Sequence, residues 1–263
     1  MHNGLKPSVR GLKGVGFNRA LPAAFGFGKG MYPDGVNDLV SIPGLYGKSF
    51  ASSFAVEFWI KPLGDSALFR FDTNSGNNFG YLITPGGTSV YRHWFGRNGY
   101  FDTADFRSGG KDYVVINFYS TQGLADVHFN YSSVGALSIF GVADSNYALG
   151  AITGAYVAGY AGNAAYSAFG NSAMDEFRVY NRILSGSEMS ANYNAGIGEN
   201  PQNTIGLSCW YKFEAFENLD FSPLQDNSDI RLGLRDWSGN FHHGLPVNCD
   251  TNPTSPNYCL KPF

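Results

Sequence analysis

Charge is what this chain has least of. Asp, Glu, Lys and Arg make up 15% of its 263 residues, against ~25% in an ordinary globular domain. Salt bridges therefore cover little of the surface, and Gly, Ser, Asn and Tyr must do so instead. The net charge of −3 supplies no basic face, which argues against a nucleic-acid partner. Three cysteines, Cys209, Cys249 and Cys259, are too few for a disulfide scaffold. Cys249 and Cys259 either close a loop around the last prolines or stay as thiols. No apolar run approaches the ~20 residues of a membrane helix, so no membrane partner is expected. Met1–Lys13 carries basic residues with no apolar stretch behind them, and does not read as a secretory signal.

Aromatic residues, at 16%, and 34 glycines are what the chain has in abundance. That mixture suits sheets and turns. Phe54–Ile60 alternates, with Phe54, Val56, Phe58 and Ile60 on one face and Ala55, Glu57 and Trp59 on the other. Tyr113–Tyr119 has a continuous apolar middle, as a covered central strand does. Leu207, Cys209, Tyr211 and Phe213 share a face. In Met174–Tyr180, alternation puts Asp175, Phe177 and Val179 on one side and Glu176, Arg178 and Tyr180 on the other. Ser185 stands three residues before Glu188, the spacing of a capping box. It opens one short helix, with Met189 and Tyr193 on a common face and Gly196 as its stop. Phe216–Arg231, polar with scattered apolar residues, reads as a loop. Many short strands between turns predict two packed antiparallel sheets. The expected division is an extended N-terminal arm over 1–27, one sandwich domain over 28–248, and a Pro-rich tail over 249–263.

Catalytic patterns are missing. Glycoside hydrolysis needs two carboxyl groups about 5–9.5 Å apart in one cleft. Asp175 and Glu176 are neighbours in a strand, so alternation sends them to opposite faces, and Glu57 stands alone. There is no nucleophile elbow. Cys209, His242, His243, Cys249 and Cys259 lack paired zinc spacing. His243 reads instead as a turn residue bonded to the backbone. No catalytic residue is assigned, and the protein is expected not to be an enzyme.

Several stretches together resemble one family. D-E-F-R-V-Y-N-R-I-L-S-G-S-E (175–188) looks like the closing signature of laminin-G-like domains. Y-P-D-G-V-N-D-L-V-S-I-P (32–43), F-A-V-E-F-W-I-K-P (54–62), L-S-C-W-Y-K-F-E (207–214) and D-W-S-G-N-F-H-H-G (236–244) agree with it. The resemblance implies an all-β, concanavalin A-like (laminin-G-like) jelly-roll sandwich of two antiparallel sheets. It also implies a structural Ca²⁺ held by oxygen donors, and Asp34, Asn37, Asp38 and Asp175 are the matching positions. Modules of this kind occur on bacteriophage virions. A virion location follows, with the arm docking on other virion proteins or on copies of the chain. The alternative is a secreted or surface lectin-like protein. In either setting Tyr91, Trp94, Arg97, Tyr100 and Asp102 offer rings and polar groups to cell-surface carbohydrate.

Overall fold

A computed structural model of the chain describes residues 27–263, apart from 35–36, 50–52, 62–65, 75–78, 86–89, 96–98, 105–109, 120–123, 131, 139–149, 158–171, 195–196, 199 and 223–228. The sequence-predicted arm, 1–27, lies outside these residues except for Phe27. Two antiparallel sheets face each other. The first runs β10 (Ser132–Ser138), β9 (Leu124–Phe129), β8 (Asp112–Tyr119), β3 (Ser53–Lys61), β12 (Ala173–Tyr180), β1 (Lys29–Met31), β17 (Leu260–Pro262), with β13 (Leu207–Tyr211) also paired to β12. The second runs β16 (Leu245–Val247), β2 (Leu39–Ser41), β11 (Ile152–Val157), β4 (Ser66–Thr73), β5 (Phe79–Pro85), β6 (Val90–Phe95), β7 (Gly99–Ala104).

The predicted alternation of β3 explains the layering. Phe54, Val56, Phe58 and Ile60 enter the core between the sheets, with Phe118, Phe177, Val179 and Tyr211 from the same sheet and Val40, Phe69, Phe71 and Phe79 from the other. Rings meet there edge-on and tilted, as in Phe54–Phe79 at 5.0 Å and 87°, the arrangement their quadrupoles favour. Ala55 and Trp59 point outward into a second apolar cluster with Tyr113, Tyr180, Met189 and Trp210.

Helix α1 (Gly186–Tyr193) roofs that second cluster. Its capping box forms as the Ser185/Glu188 spacing predicts: Ser185 Oγ accepts from Glu188 N–H while Glu188 accepts from Ser185 N–H. The Arg182 guanidinium holds the Glu188 carboxyl at about 2, below its ordinary value. The helix ends earlier than Gly196. Asn194 takes the left-handed conformation at φ 44° and returns its N–H to Ser190, a role Asn shares with Gly. Tyr193 stacks on Trp59 at 5.9 Å.

Three sequence expectations change. Phe216–Arg231 is not simply a loop: β14 (Phe216–Asp220) and β15 (Ile230–Leu234) pair as a hairpin, anchored by buried Leu219 and Leu234. Residues 249–263, read from the sequence as a Pro-rich tail, include a strand of the first sheet. Cys259 and Leu260 are buried in the core, and β17 pairs with β1 from Lys29↔Pro262 to Met31↔Leu260. Pro262 sits on the outermost strand, where a missing N–H is tolerated.

The third change concerns β12. Its pairing with β3 slips between Asp175↔Trp59 and Arg178↔Glu57, and Glu176 has φ 53°. This is a β-bulge. It interrupts the alternation, so Asp175 and Glu176 do not fall on opposite faces. Asp175 pairs with outward Trp59, and Glu176 reaches outward Arg178 and Trp210. Phe177 and Val179 still point into the core.

Candidate functional site

A cleft of about 460 Å³ opens where three separate segments meet. Its volume lies within the range of small-ligand sites. One wall follows β2: a 3₁₀ turn, Pro43–Leu45, leads to Lys48 and Ser49. Asn181 and the approach to β13, Thr204 and Gly206–Ser208, form the second. Ser238, Asn240 and His242 form the third. The described lining holds hydroxyls, amides, one ammonium and one imidazole, and no carboxylate.

The third wall is stiff because Asp236 is surrounded by donors. Its Oδ1 accepts from Trp210 N–H at 3.0 Å and Ser238 N–H at 2.8 Å; its Oδ2 accepts from His242 N–H at 3.0 Å. Asn240 Nδ2 donates to the Leu207 carbonyl at 2.7 Å, and His242 Nδ1 lies 2.9 Å from the Ser208 carbonyl. Burial lowers the His242 pKa from its ordinary value. His243 accepts from Asp236 N–H at 3.1 Å, the backbone role expected of it. The turn residues were legible in the sequence; their meeting with Lys48, Asn181 and Thr204 was not, because no local pattern links those segments.

Gly206 joins the second wall at φ 75°, and a β-carbon there would collide with Asn181 Oδ1. Gly206→Ala is therefore expected to lower stability by ~1–3 kcal/mol, the cost of a strained left-handed residue. Urea unfolding checks it, and a loss under ~0.5 kcal/mol overturns it.

The expected glycan residues lie elsewhere. β6 and β7 form the far edge of the second sheet from β2 and β16. Their register sets Trp94 opposite Tyr100 and Arg92 opposite Asp102, with Tyr91 opposite Thr103. Arg97 is outside the described residues.

The expected calcium positions divide. Asp34, Asn37 and Asp38 share the opening turn: Asp34 Oδ1 accepts from Asn37 N–H at 3.2 Å, and Asp38 Oδ2 accepts from Asp34 N–H at 3.0 Å. Asp175 has other neighbours, namely Glu176, Glu214 and Arg178. Buried Asp38 also meets two sulfurs. Its carboxylate oxygen and the Sγ atoms of Cys249 and Cys259 all lie within 4.8 Å of one another. Thiols are poor partners for a hard ion such as Ca²⁺, so this donor set does not fit calcium at Asp38.

The carboxylates of β12 belong to a buried network. Arg178 Nη1 donates to Glu57 Oε1 at 2.5 Å and Nη2 to Glu176 Oε2 at 2.8 Å. Trp210 Nε1 donates to Glu176 Oε2 at 2.5 Å, and Asn192 Nδ2, from α1, to Glu57 Oε2 at 3.0 Å. Burial, then the Glu176 charge, pushes the Asp175 carboxyl well above its ordinary value. Glu57, Asp175, Glu176 and Arg178 are each no more than 2% exposed. Sharing a face thus does not open these acids to a substrate.

No protein-family model matches the chain, and no curated protein matches it. Solved structures do. A proposed carbohydrate binding protein from Bacteroides ovatus ATCC 8483 superposes with a TM-score of 0.58 at 17% identity, covering 84% of this chain and 58% of that one. The native heptameric SAP-like pentraxin from Limulus polyphemus superposes with a TM-score of 0.52 at 13% identity, covering 79% of this chain and 93% of that one. The chain spans less than two thirds of the Bacteroides protein's length. Sheet order, the two facing layers and these superpositions agree on one architecture: the chain folds as a concanavalin A-like jelly-roll sandwich of two antiparallel sheets.

Proposed function

We propose that the protein is a non-catalytic, lectin-like module that binds carbohydrate in the cleft between Lys48, Asn181 and Asn240. The carboxylate-free polar lining carries this reading. Sugars present many hydroxyls, and a wall of hydroxyls, amides and an ammonium can match them in both donor and acceptor roles. Hydrolysis would need paired carboxyl groups at the same place. The likeness in fold to the Bacteroides ovatus protein supports the reading.

A glycan array probed with the full chain tests it. Ser49→Trp and Thr204→Trp alter exposed positions at the cleft and fill it with bulk. Each is expected to weaken binding at least tenfold, about 1.4 kcal/mol. Trp94→Ala, at the far edge of the second sheet, is expected to leave binding unchanged. Absence of any glycan ligand, or full binding by both tryptophan variants, overturns the proposal. Loss on Trp94→Ala alone moves the site to the β6–β7 hairpin.

The setting in which such a module works rests on the sequence resemblance. As a virion component, the chain would dock through its first residues and project the sandwich toward host carbohydrate. Removing 1–26 would then abolish incorporation into particles while leaving glycan binding intact. As a secreted or surface lectin, it would keep its role without them. A structural Ca²⁺ in the opening turn would draw on Asp34 and Asn37. That turn and the cleft flank opposite ends of β2, so EGTA is expected to leave glycan affinity unchanged.

A further inference from the structure

We propose that Asp38, Cys249 and Cys259 form a binding site for a thiophilic divalent cation of the zinc class, which fastens the C-terminal strand to the opposite sheet.

Three donors from three places converge. Asp38 precedes β2, Cys249 follows β16, and Cys259 precedes β17. β2 and β16 belong to one sheet and β17 to the other, so an ion here bridges the layers. The three ligand atoms lie within 4.8 Å of one another. Zinc bonds of about 2.0–2.3 Å set neighbouring donors roughly 3.5–3.8 Å apart. Closing by about 1 Å, within reach of side-chain rotation, completes the set. The Asp250 carbonyl lies 3.1 Å from Cys259 Sγ, the nearest further oxygen to that sulfur that could complete a four-ligand set.

The surroundings of Asp38 agree with this. Asp38 is 3% exposed; its Oδ2 accepts from Asp34 N–H at 3.0 Å and lies 3.8 Å from Cys259 Sγ. These donors are neutral, and a buried carboxylate served by neutral donors gains from a cation placed beside it. Two nearby sulfurs decide which cation. Thiolates bind zinc-class ions and discriminate against Ca²⁺ and Mg²⁺. Cys209, the third free thiol, belongs to β13 and the inter-sheet core and is not in this cluster.

Binding has a defined balance. Each cysteine thiol loses its proton to solvent as its sulfur bonds the ion, so two thiol protons leave per cation and no electron is transferred. The competing state is a Cys249–Cys259 disulfide, which removes both thiolates.

Reduced full-length protein titrated with Co²⁺, a spectroscopic stand-in for zinc, tests the proposal. The expected result is a thiolate-to-cobalt charge-transfer band saturating at one ion per chain, release of about two protons, and displacement by Zn²⁺ but not by excess Ca²⁺. Asp38→Asn and Cys249→Ala, the latter at the least buried of the three positions, are each expected to weaken binding at least tenfold; Cys209→Ala leaves it unchanged. No band, a band that survives Cys249→Ala, or a Cys249–Cys259 disulfide throughout the natively isolated protein overturns the site.

Discussion

Replacing Arg178 with methionine is expected to cost about 3–5 kcal/mol of unfolding free energy, the penalty for removing one partner of a buried ion pair. Arg178 is 0% exposed and holds Glu57 on one side of its guanidinium and Glu176 on the other. Burial lowers its pKa, but the Glu57 and Glu176 charges more than offset this and raise it, so it stays charged. Methionine fills much of the volume, takes the paired cation from Glu57 and leaves Glu176 with Lys212 alone, whose Nζ lies 3.9 Å from Glu176 Oε1. The damage would spread to α1, since Asn192 reaches the network through Glu57. Urea unfolding of single and combined variants separates charge from packing. Arg178→Met with Glu57→Gln and Glu176→Gln should recover a large part of the loss, because replacing a whole buried ion cluster is often near neutral. If the single variant loses less than ~1 kcal/mol, or the triple variant is worse than the single, the network is not held together by its charges.

The network also shows what a sequence pattern can and cannot convey. Alternation in Phe54–Ile60 identified both faces of β3, and Ser185 with Glu188 located the start of α1, because each depends on residues close in sequence. The bulge in β12 gave no such sign. Positive φ is usually marked by Gly or Asn, and here it falls on Glu176. The short hairpin β14–β15 and the edge strand β17 were hidden for a related reason. They are stabilised by a few buried side chains, Leu219, Leu234 and Leu260, rather than by a sustained apolar period. The cleft and the Asp38 cluster are products of topology alone: Asp38 and Cys259 are 221 residues apart. Motifs therefore marked the rigid turn around Asp236, while the surfaces suited to ligands had to be found in space.

Asp175→Asn is expected to do the opposite of Arg178→Met and stabilise the protein, increasingly so as pH rises. Burial and the charge of Glu176 push the Asp175 carboxyl well above its ordinary value, with Glu214 adding to the effect and Arg178 opposing it. In the unfolded chain this group ionises near ~3.9. Between that value and the higher folded value, the native state keeps a proton that the unfolded state has lost. Stability then falls with rising pH, by up to about 1.4 kcal/mol per unit. Asparagine cannot ionise and can still accept the Glu176 N–H that Asp175 Oδ1 takes at 2.7 Å. The variant should match the parent near pH 4 and gain steadily above it, until the parent's own group titrates in the folded state. Taking the difference between the two proteins at each pH cancels the contributions of His242, His243 and other groups common to both. Denaturant midpoints at pH 4, 6 and 8 supply that difference. A gap that stays constant with pH would mean that Asp175 is ionised in the folded state, and that the bulge places two charges side by side rather than a charge beside a neutral acid.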